Sequence, residues 1–412
     1  MWKHLLRSSF VIGLAIICAG LLVGSKHNVA AYAPDIGRPD NVVLDISSRG
    51  APELSSTGNY LSPITEADRP FTHLMLKWRA SGPVSDTLVL EVRTSRDGES
   101  WGDWLPVWED YDMWEHDDGT DVFWSQITYA GDGARFWQVR ATMLPTASGD
   151  EAILHTVEVN TVDGRYAADQ APTFPEASLA GLAKPPVVSR TAWGNPDGQG
   201  SRVSPAYYPV NHVIVHHTVD PNTFRSGEKN WGDRVRAIWS FHTFTRGWGD
   251  VGYNYLVTPD GTIYEGRAGG DDAVGFHDTG NYGSMGVALV GTFDSVNPTG
   301  AAQDSLVALL GWKADQKQID PLGRSYYYGC DISSYCSSPG AVVYNIAGHR
   351  HVTPRTSCPG DMTVELLASF RSRVQALIDT GGNPQRPDDG NLSIDELETS
   401  FARSNATWYS AG

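Results

Sequence analysis

Apolar and polar positions alternate in short runs between residues 34 and 165. Leu74-Met75-Leu76-Lys77-Trp78, residues 87–93, residues 137–143 and residues 153–161 are alternating or β-branched. Turn-forming segments such as Ser95-Arg96-Asp97-Gly98 separate them, and no helical period intervenes. This pattern predicts an N-terminal all-β sandwich over 34–165. Residues 166–186 are rich in Ala and Pro, hold no period and predict a linker. From 187 to 378 the pattern changes. Apolar runs at 212–218, 253–258 and 285–291 predict buried strands, and Pro259-Asp260-Gly261 predicts a hairpin turn. Residues 234–243, 305–319 and 363–379 carry apolar positions at helical spacing. Strands mixed with helices in this order predict an α/β domain, a central mixed sheet flanked by helices. Residues 379–412 read as a flexible acidic tail.

The first 33 residues have a different logic. Lys3 and Arg7 precede an apolar stretch over 9–23, and Ala31-Tyr32-Ala33 offers small residues for cleavage. The stretch is short of the ~20 residues of a membrane span. A removable signal peptide over 1–33 is therefore expected, with an uncleaved anchor as the alternative. The protein is then secreted or associated with the cell envelope, with no stable membrane insertion once the leader is gone. Net charge is −17, and loss of Lys3, Arg7 and Lys26 with the leader would take it to about −20. Such a chain lacks the clustered bases that nucleic acid or anionic lipid requires.

Seven tryptophans lie within 34–165. Their alternation with Leu and Val favours core filling over an exposed sugar-stacking platform. Asp97-Gly98-Glu99-Ser100-Trp101 resembles a single Asp-box turn. In the tail, residues 389–397 resemble half of an EF-hand loop, but Gln385 and Pro387 fall at its first ligand positions, which argues against calcium.

The candidate chemistry lies in four residues. His216 ends the run Val213-Ile214-Val215-His216-His217-Thr218, Tyr253 stands in Asp250-Val251-Gly252-Tyr253-Asn254-Tyr255, His349 in Gly348-His349-Arg350, and Cys358 in Cys358-Pro359-Gly360-Asp361. Two imidazoles and a thiolate form a three-ligand zinc site with a fourth position open, the layout of a hydrolytic centre. Cys18 falls in the expected leader, and Cys330 and Cys336 are placed to close a small disulfide loop, which leaves Cys358 unpaired beside its turn.

These segments, with Ser189-Arg190-Thr191-Ala192-Trp193-Gly194 and Asp260-Gly261-Thr262-Ile263-Tyr264-Glu265-Gly266-Arg267, make residues 187–378 resemble the peptidoglycan recognition protein and type 2 zinc N-acetylmuramoyl-L-alanine amidase family. The resemblance implies Zn2+ held by His216, His349 and Cys358, with Tyr253 and Thr356 stabilising charge on the substrate carbonyl. It implies substrate contacts at His277, Arg267 and Asn254. The substrate would be peptidoglycan, cut at the amide between muramic acid and L-alanine, and the enzyme is expected as a monomer. Alternation along a strand agrees in choosing His216 over His217. His351 stands where the family commonly has an acid, and Ala268-Gly269-Gly270-Asp271 departs from the family's Gly-Arg-Gly-Trp-like segment. The choice between lysine and diaminopimelate in the stem peptide is therefore open. A non-catalytic receptor on the same fold is the alternative, and the retained Cys358 favours the enzyme. A third possibility gives the main role to the tryptophan-rich β region.

Overall fold

A computed structural model describes residues 38–381 except 47–53, 56–57, 86, 118–119, 146–148, 151, 166–180, 196–200, 279, 334–335, 337–338 and 354–355. The expected leader, most of the linker and the calcium-like loop lie outside the described residues. Among the described residues no helix is long and apolar enough to cross a membrane.

The N-terminal strands are β1 (Asp40–Asp45), β2 (Leu54–Ser55), β3 (Gly58–Leu61), β4 (Thr65–Ser81), β5 (Leu88–Ser95), β6 (Leu105–Val107), β7 (Glu109–Asp117), β8 (Thr120–Ser125), β9 (Thr128–Met143) and β10 (Ile153–Val162). All pairings among them are antiparallel. Instead of two stacked sheets they form one hydrogen-bonded, ten-stranded sheet with central order β1-β10-β4-β9-β5-β6. The cause lies in β4 and β9, of 17 and 16 residues. Each changes neighbours along its length: β4 pairs with β9 through its first half and with β10 and β8 through its second. Register shifts between Glu66 and His73 let β4 bend there, so the sheet stays continuous around its core.

Alternation decides what β4 touches. Leu74, Leu76, Trp78 and Ala80 point into the sheet's own core, with Val92, Trp137 and Val159. Met75 points the other way. With Val122, Trp124, Ile127 and Val162 it joins a second cluster that includes Val188, Trp193, Trp231, Ile238 and Phe241. The sheet region and the α/β region thus share a core. Glu228 seals the joint: it pairs with Arg234 (2.5 Å) and lies 3.7 Å from His73 of β4, all buried.

The α/β region contains β11 (His212–His217), α1 (Trp231–Ser240), β12 (Tyr255–Val257), β13 (Ile263–Glu265), β14 (Ser284–Leu289), α2 (Gly300–Lys317), β15 (Arg324–Tyr327), the short α3 (Gly329–Ile332), β16 (Ala341–Tyr344), β17 (Ile346–Gly348) and α4 (Asp361–Asp379). Its main sheet has order β13-β12-β14-β11-β17 and is mixed: β12, β14, β11 and β17 are parallel neighbours and β13 is antiparallel. Leu306, Leu310, Leu367 and Phe370 of α2 and α4 cover one face, against Val213, Val215 and Val287. On α1 the Asn230 side chain accepts from Asp233 N at 2.8 Å, an N-cap. The helix then widens into a π turn over Phe241–Thr245, a form frequent at functional sites. Cys330 and Cys336 are joined by a disulfide.

Three of the tryptophans, Trp78, Trp124 and Trp137, are buried as core filling predicts. Trp101 and Trp104 flank the Arg93 guanidinium at 4.7 Å each, and Trp108 is exposed. In the Asp-box-like turn the Asp97 carboxylate accepts from Glu99 N and Ser100 N at 2.8 and 2.7 Å. Those N–H donors, Ser100 first, hold its pKa at about 2.

Candidate metal centre

Parallel β11 and β17 place their carboxyl ends side by side, with Val215 in register with Gly348. The next residues are His216 and His349, and their ring centroids are 4.4 Å apart. The Cys358 loop completes the group: Cys358 Sγ is 3.7 Å from His216 Nδ1. Ligand atoms of His216, His349 and Cys358 all lie within 4.8 Å of one another.

This spacing fits zinc. Bond lengths of ~2.3 Å to sulfur and ~2.1 Å to nitrogen at a tetrahedral angle put S and N about 3.6 Å apart. The outer atoms are committed elsewhere. His216 Nε2 is 3.0 Å from His277 Nδ1, and His349 Nε2 is 3.2 Å from Asp278 Oδ1. Each ring therefore has Nδ1 left for an ion. Backbone N–H of His217 lies 3.3 Å from Cys358 Sγ, as a thiolate acceptor wants.

Electrostatics agree with a neutral His216. Burial, then the neighbouring His349, His277 and His217, drives the His216 pKa well below its ordinary value. Burial takes His277 down to about 3, so it stays neutral. Burial alone would raise Asp278, but hydrogen bonds from His349 and Thr353 outweigh it and hold the carboxyl well below the usual range.

The Cys358 loop is fixed from several sides. Arg350 donates to Ser357 O and, at 2.6 Å, to Asp361, while Arg350 N donates to Cys358 O. Gly360 has φ +86° and a Cβ there would stand 2.4 Å from the Phe293 carbonyl carbon, so only glycine fits.

The three potential ligands line a cavity of about 1030 Å³ together with Tyr253, His277, Asp278 and Thr356. The Tyr253 hydroxyl is 3.5 Å from His217 O, and its ring packs on His216 at 5.3 Å. Thr356 Oγ1 accepts from Cys358 N at 2.9 Å. Two residues expected at the substrate are engaged within the fold and do not line this cavity. The Asn254 side chain bridges Ala273 O and Gly286 N, at 2.8 and 2.9 Å. Arg267 is buried with its guanidinium 4.1 Å over the Phe276 ring. Neither is among the lining residues. His217 faces Tyr111 and Phe293 rather than the ligand group. His351 accepts from Gly348 N at 3.1 Å and lies outside that group.

Asp278 was not singled out in the sequence. The available signal was its place directly after His277, one residue beyond a candidate. The divergent segment after Arg267 also has a local account. Asp271 accepts from Tyr255 Oη at 2.6 Å and pairs with Lys184 and the fully buried Lys313, so it ties the segment to α2.

The α/β region is thus a mixed sheet that carries two histidines at neighbouring strand ends and a cysteine in the loop before α4. The family model N-acetylmuramoyl-L-alanine amidase (Amidase_2) matches residues 206–361. Human N-acetylmuramoyl-L-alanine amidase is 31% identical over 207 residues, 50% of this chain and 31% of that protein. Peptidoglycan-recognition protein SC2 of Drosophila simulans is 30% identical over 42% of this chain and 80% of its own length. A solved structure of wild-type Drosophila PGRP-LB is 27% identical, covering 44% of this chain and 92% of that one, with a TM-score of 0.35. The chain belongs to the family of peptidoglycan recognition proteins and N-acetylmuramoyl-L-alanine amidases. It spans about a third of the length of the mammalian amidases it matches.

Proposed function

We infer that this chain is a secreted, zinc-dependent N-acetylmuramoyl-L-alanine amidase that hydrolyses the amide between muramic acid and L-alanine in peptidoglycan. The observation that carries this reading is the triad of His216, His349 and Cys358, with two nitrogens and a sulfur at zinc-compatible spacing and each ligand held by a second partner. Human and Drosophila relatives carry amidase and peptidoglycan-recognition names, which agrees with the substrate class. The Cys330–Cys336 disulfide supports an oxidising compartment.

When bound, zinc supplies Lewis acidity, polarising the scissile carbonyl and lowering the pKa of attacking water. The protein's part is orientation and charge. Tyr253 donates its hydroxyl hydrogen bond to the substrate oxygen as that oxygen gains charge, and Thr356, two residues before Cys358, is the second donor. Each such donor is typically worth ~3 kcal/mol. His277 and Asp278 hold the ligand imidazoles in one tautomer, Nδ1 inward. His242, buried and with its pKa lowered by burial to about 3, accepts from Gly252 N at 3.1 Å and sets the backbone that carries Tyr253.

The test is release of L-alanine amino termini from purified peptidoglycan, with bound zinc measured on wild type and Cys358→Ala. Loss of zinc and of release together in the variant supports the enzyme. A zinc-loaded wild type that binds peptidoglycan and releases nothing would overturn it and leave the receptor reading.

A further inference from the structure

The cavity around the candidate metal centre is not built by the α/β region alone. Met75, Asp110, Ser125, Gln126 and Ile127 of the sheet region line it too. The family model covers residues 206–361, so this wall lies outside what defines the family. It is held firmly. Tyr111 Oη donates to Asp294, the Tyr111 ring meets His217 at 6.3 Å, and Ile127 N donates to Asp220 Oδ1 at 3.3 Å.

At the seam, two residues that line the cavity keep unused hydrogen-bonding capacity. The side chain of Gln126 is half-buried and has no hydrogen-bond partner among the described residues. Asp220 is buried to 1% exposure, and its Oδ2 has no partner while Oδ1 is tied to Ile127. Met75 and Ile127 provide an apolar floor beside them. A buried polar atom without a partner costs free energy in the empty protein, and a ligand that satisfies it is favoured.

We propose that this seam is a saccharide subsite, where Gln126 and Asp220 hydrogen-bond hydroxyl and acetamido groups of the glycan on the acyl side of the scissile amide. The proposal rests on the amidase reading for its substrate. The choice of sugar over stem peptide follows from charge. A stem peptide carries carboxylates, which call for Arg, Lys or clustered N–H donors. None of the five sheet-region lining residues is basic, and the Arg246 guanidinium that also lines the cavity is stacked over the Trp124 and Trp248 rings at 4.6 and 5.1 Å. N-acetylmuramic acid amidated at its lactyl group is neutral, the neighbouring N-acetylglucosamine adds hydroxyl groups, and the acetamido methyls suit Met75 and Ile127.

Two measurements on the full chain test this. Calorimetry with N-acetylglucosaminyl-N-acetylmuramic acid whose lactyl carboxyl is capped as the primary amide should show binding by wild type, and Gln126→Ala and Asp220→Asn should each weaken it about three- to tenfold, the loss expected for one hydrogen bond. In the second, kcat/KM is compared between a disaccharide-peptide and a lactoyl-peptide lacking sugar. The preference for the disaccharide substrate should fall by a similar factor in both variants, through KM. Unchanged disaccharide binding in both variants, or equal losses on the two substrates, overturns the subsite. A wild type that binds the disaccharide but cleaves neither substrate sinks the amidase reading and leaves the subsite standing. Gln126→Ala changes a half-buried side chain without internal partners, so misfolding does not confound it.

Discussion

His277 Nδ1 lies 3.0 Å from His216 Nε2, and the far side of the His277 ring reaches Ser284 Oγ at 3.4 Å. With His216 Nδ1 turned to an ion, its Nε2–H donates to His277, and His277 Nε2–H donates to Ser284. That chain of donors would fix the tautomer of His216 as a ligand. Outer partners of this kind typically contribute 10–100-fold to metal affinity. His277→Ala is therefore expected to weaken zinc binding about that much, read by competition with a chelator, while circular dichroism stays near wild type. Equal zinc affinity in the two proteins would remove His277 from this role.

Gly286 of β14 backs the same ring. A Cβ at position 286 would stand 2.3 Å from His277 Cδ2 and 2.4 Å from its Cγ. Both are atoms of a buried ring with no room to retreat. Gly286→Ala should displace His277, cost about 1–3 kcal/mol from overpacking and copy the zinc defect of His277→Ala. A stable Gly286→Ala protein with wild-type zinc affinity would show that the ring has slack the packing does not reveal.

Legibility in the sequence followed the range of the interactions. The runs at 212–218 and 285–291 were readable as strands because parallel strands buried on both faces are continuously apolar, and β11 and β14 fall there. His216, His349 and Cys358 were legible from their motifs, and the structure brings the three together. Asp278 was not, because a carboxylate acts on His349 only through a fold that closes 71 residues of chain. Nor did alternation around Met75 say what its outward face would meet. A strand position pointing away from its own core reads as solvent-facing, and only packing shows that α1 covers it. For the same reason the Ala/Pro-rich stretch reads only as a linker, and the apolar cluster shared by the regions on either side of it is not visible in the sequence.

Asp220 links pH to stability. Burial, partly offset by Arg234, raises its pKa from 3.8 to about 6. A carboxyl with a raised folded pKa adds stability that is complete below its unfolded pKa and lost as pH rises through the folded value. Between pH 4 and 6.5 wild type should therefore lose up to about 3 kcal/mol through this group. Asp220→Asn keeps an acceptor for Ile127 N and carries no charge. Urea unfolding at pH 4 and pH 7 should show the variant gaining on wild type at the higher pH. A stability difference that is flat with pH would mean that Asp220 is already ionised in the folded protein below pH 4.

The shared cluster predicts that the α/β region does not stand alone. Trp231, Val235 and Ile238 of α1 and Trp193 are all nearly fully buried, and Met75, Val122, Trp124 and Ile127 belong to the same cluster. Removing residues 34–165 would expose that apolar surface and strip Glu228 of its His73 neighbour. Burial is worth about 25 cal/mol per Å², and exposed apolar patches of several hundred Å² drive association. Residues 181–381 expressed alone should be aggregation-prone and should bind a hydrophobic dye, whereas residues 34–381 should not. Within the longer chain, Trp124→Ala should cost about 3–5 kcal/mol. A soluble, monomeric 181–381 fragment with native-like thermal unfolding would show that the sheet region is an appended module and that α1 tolerates water on its apolar face.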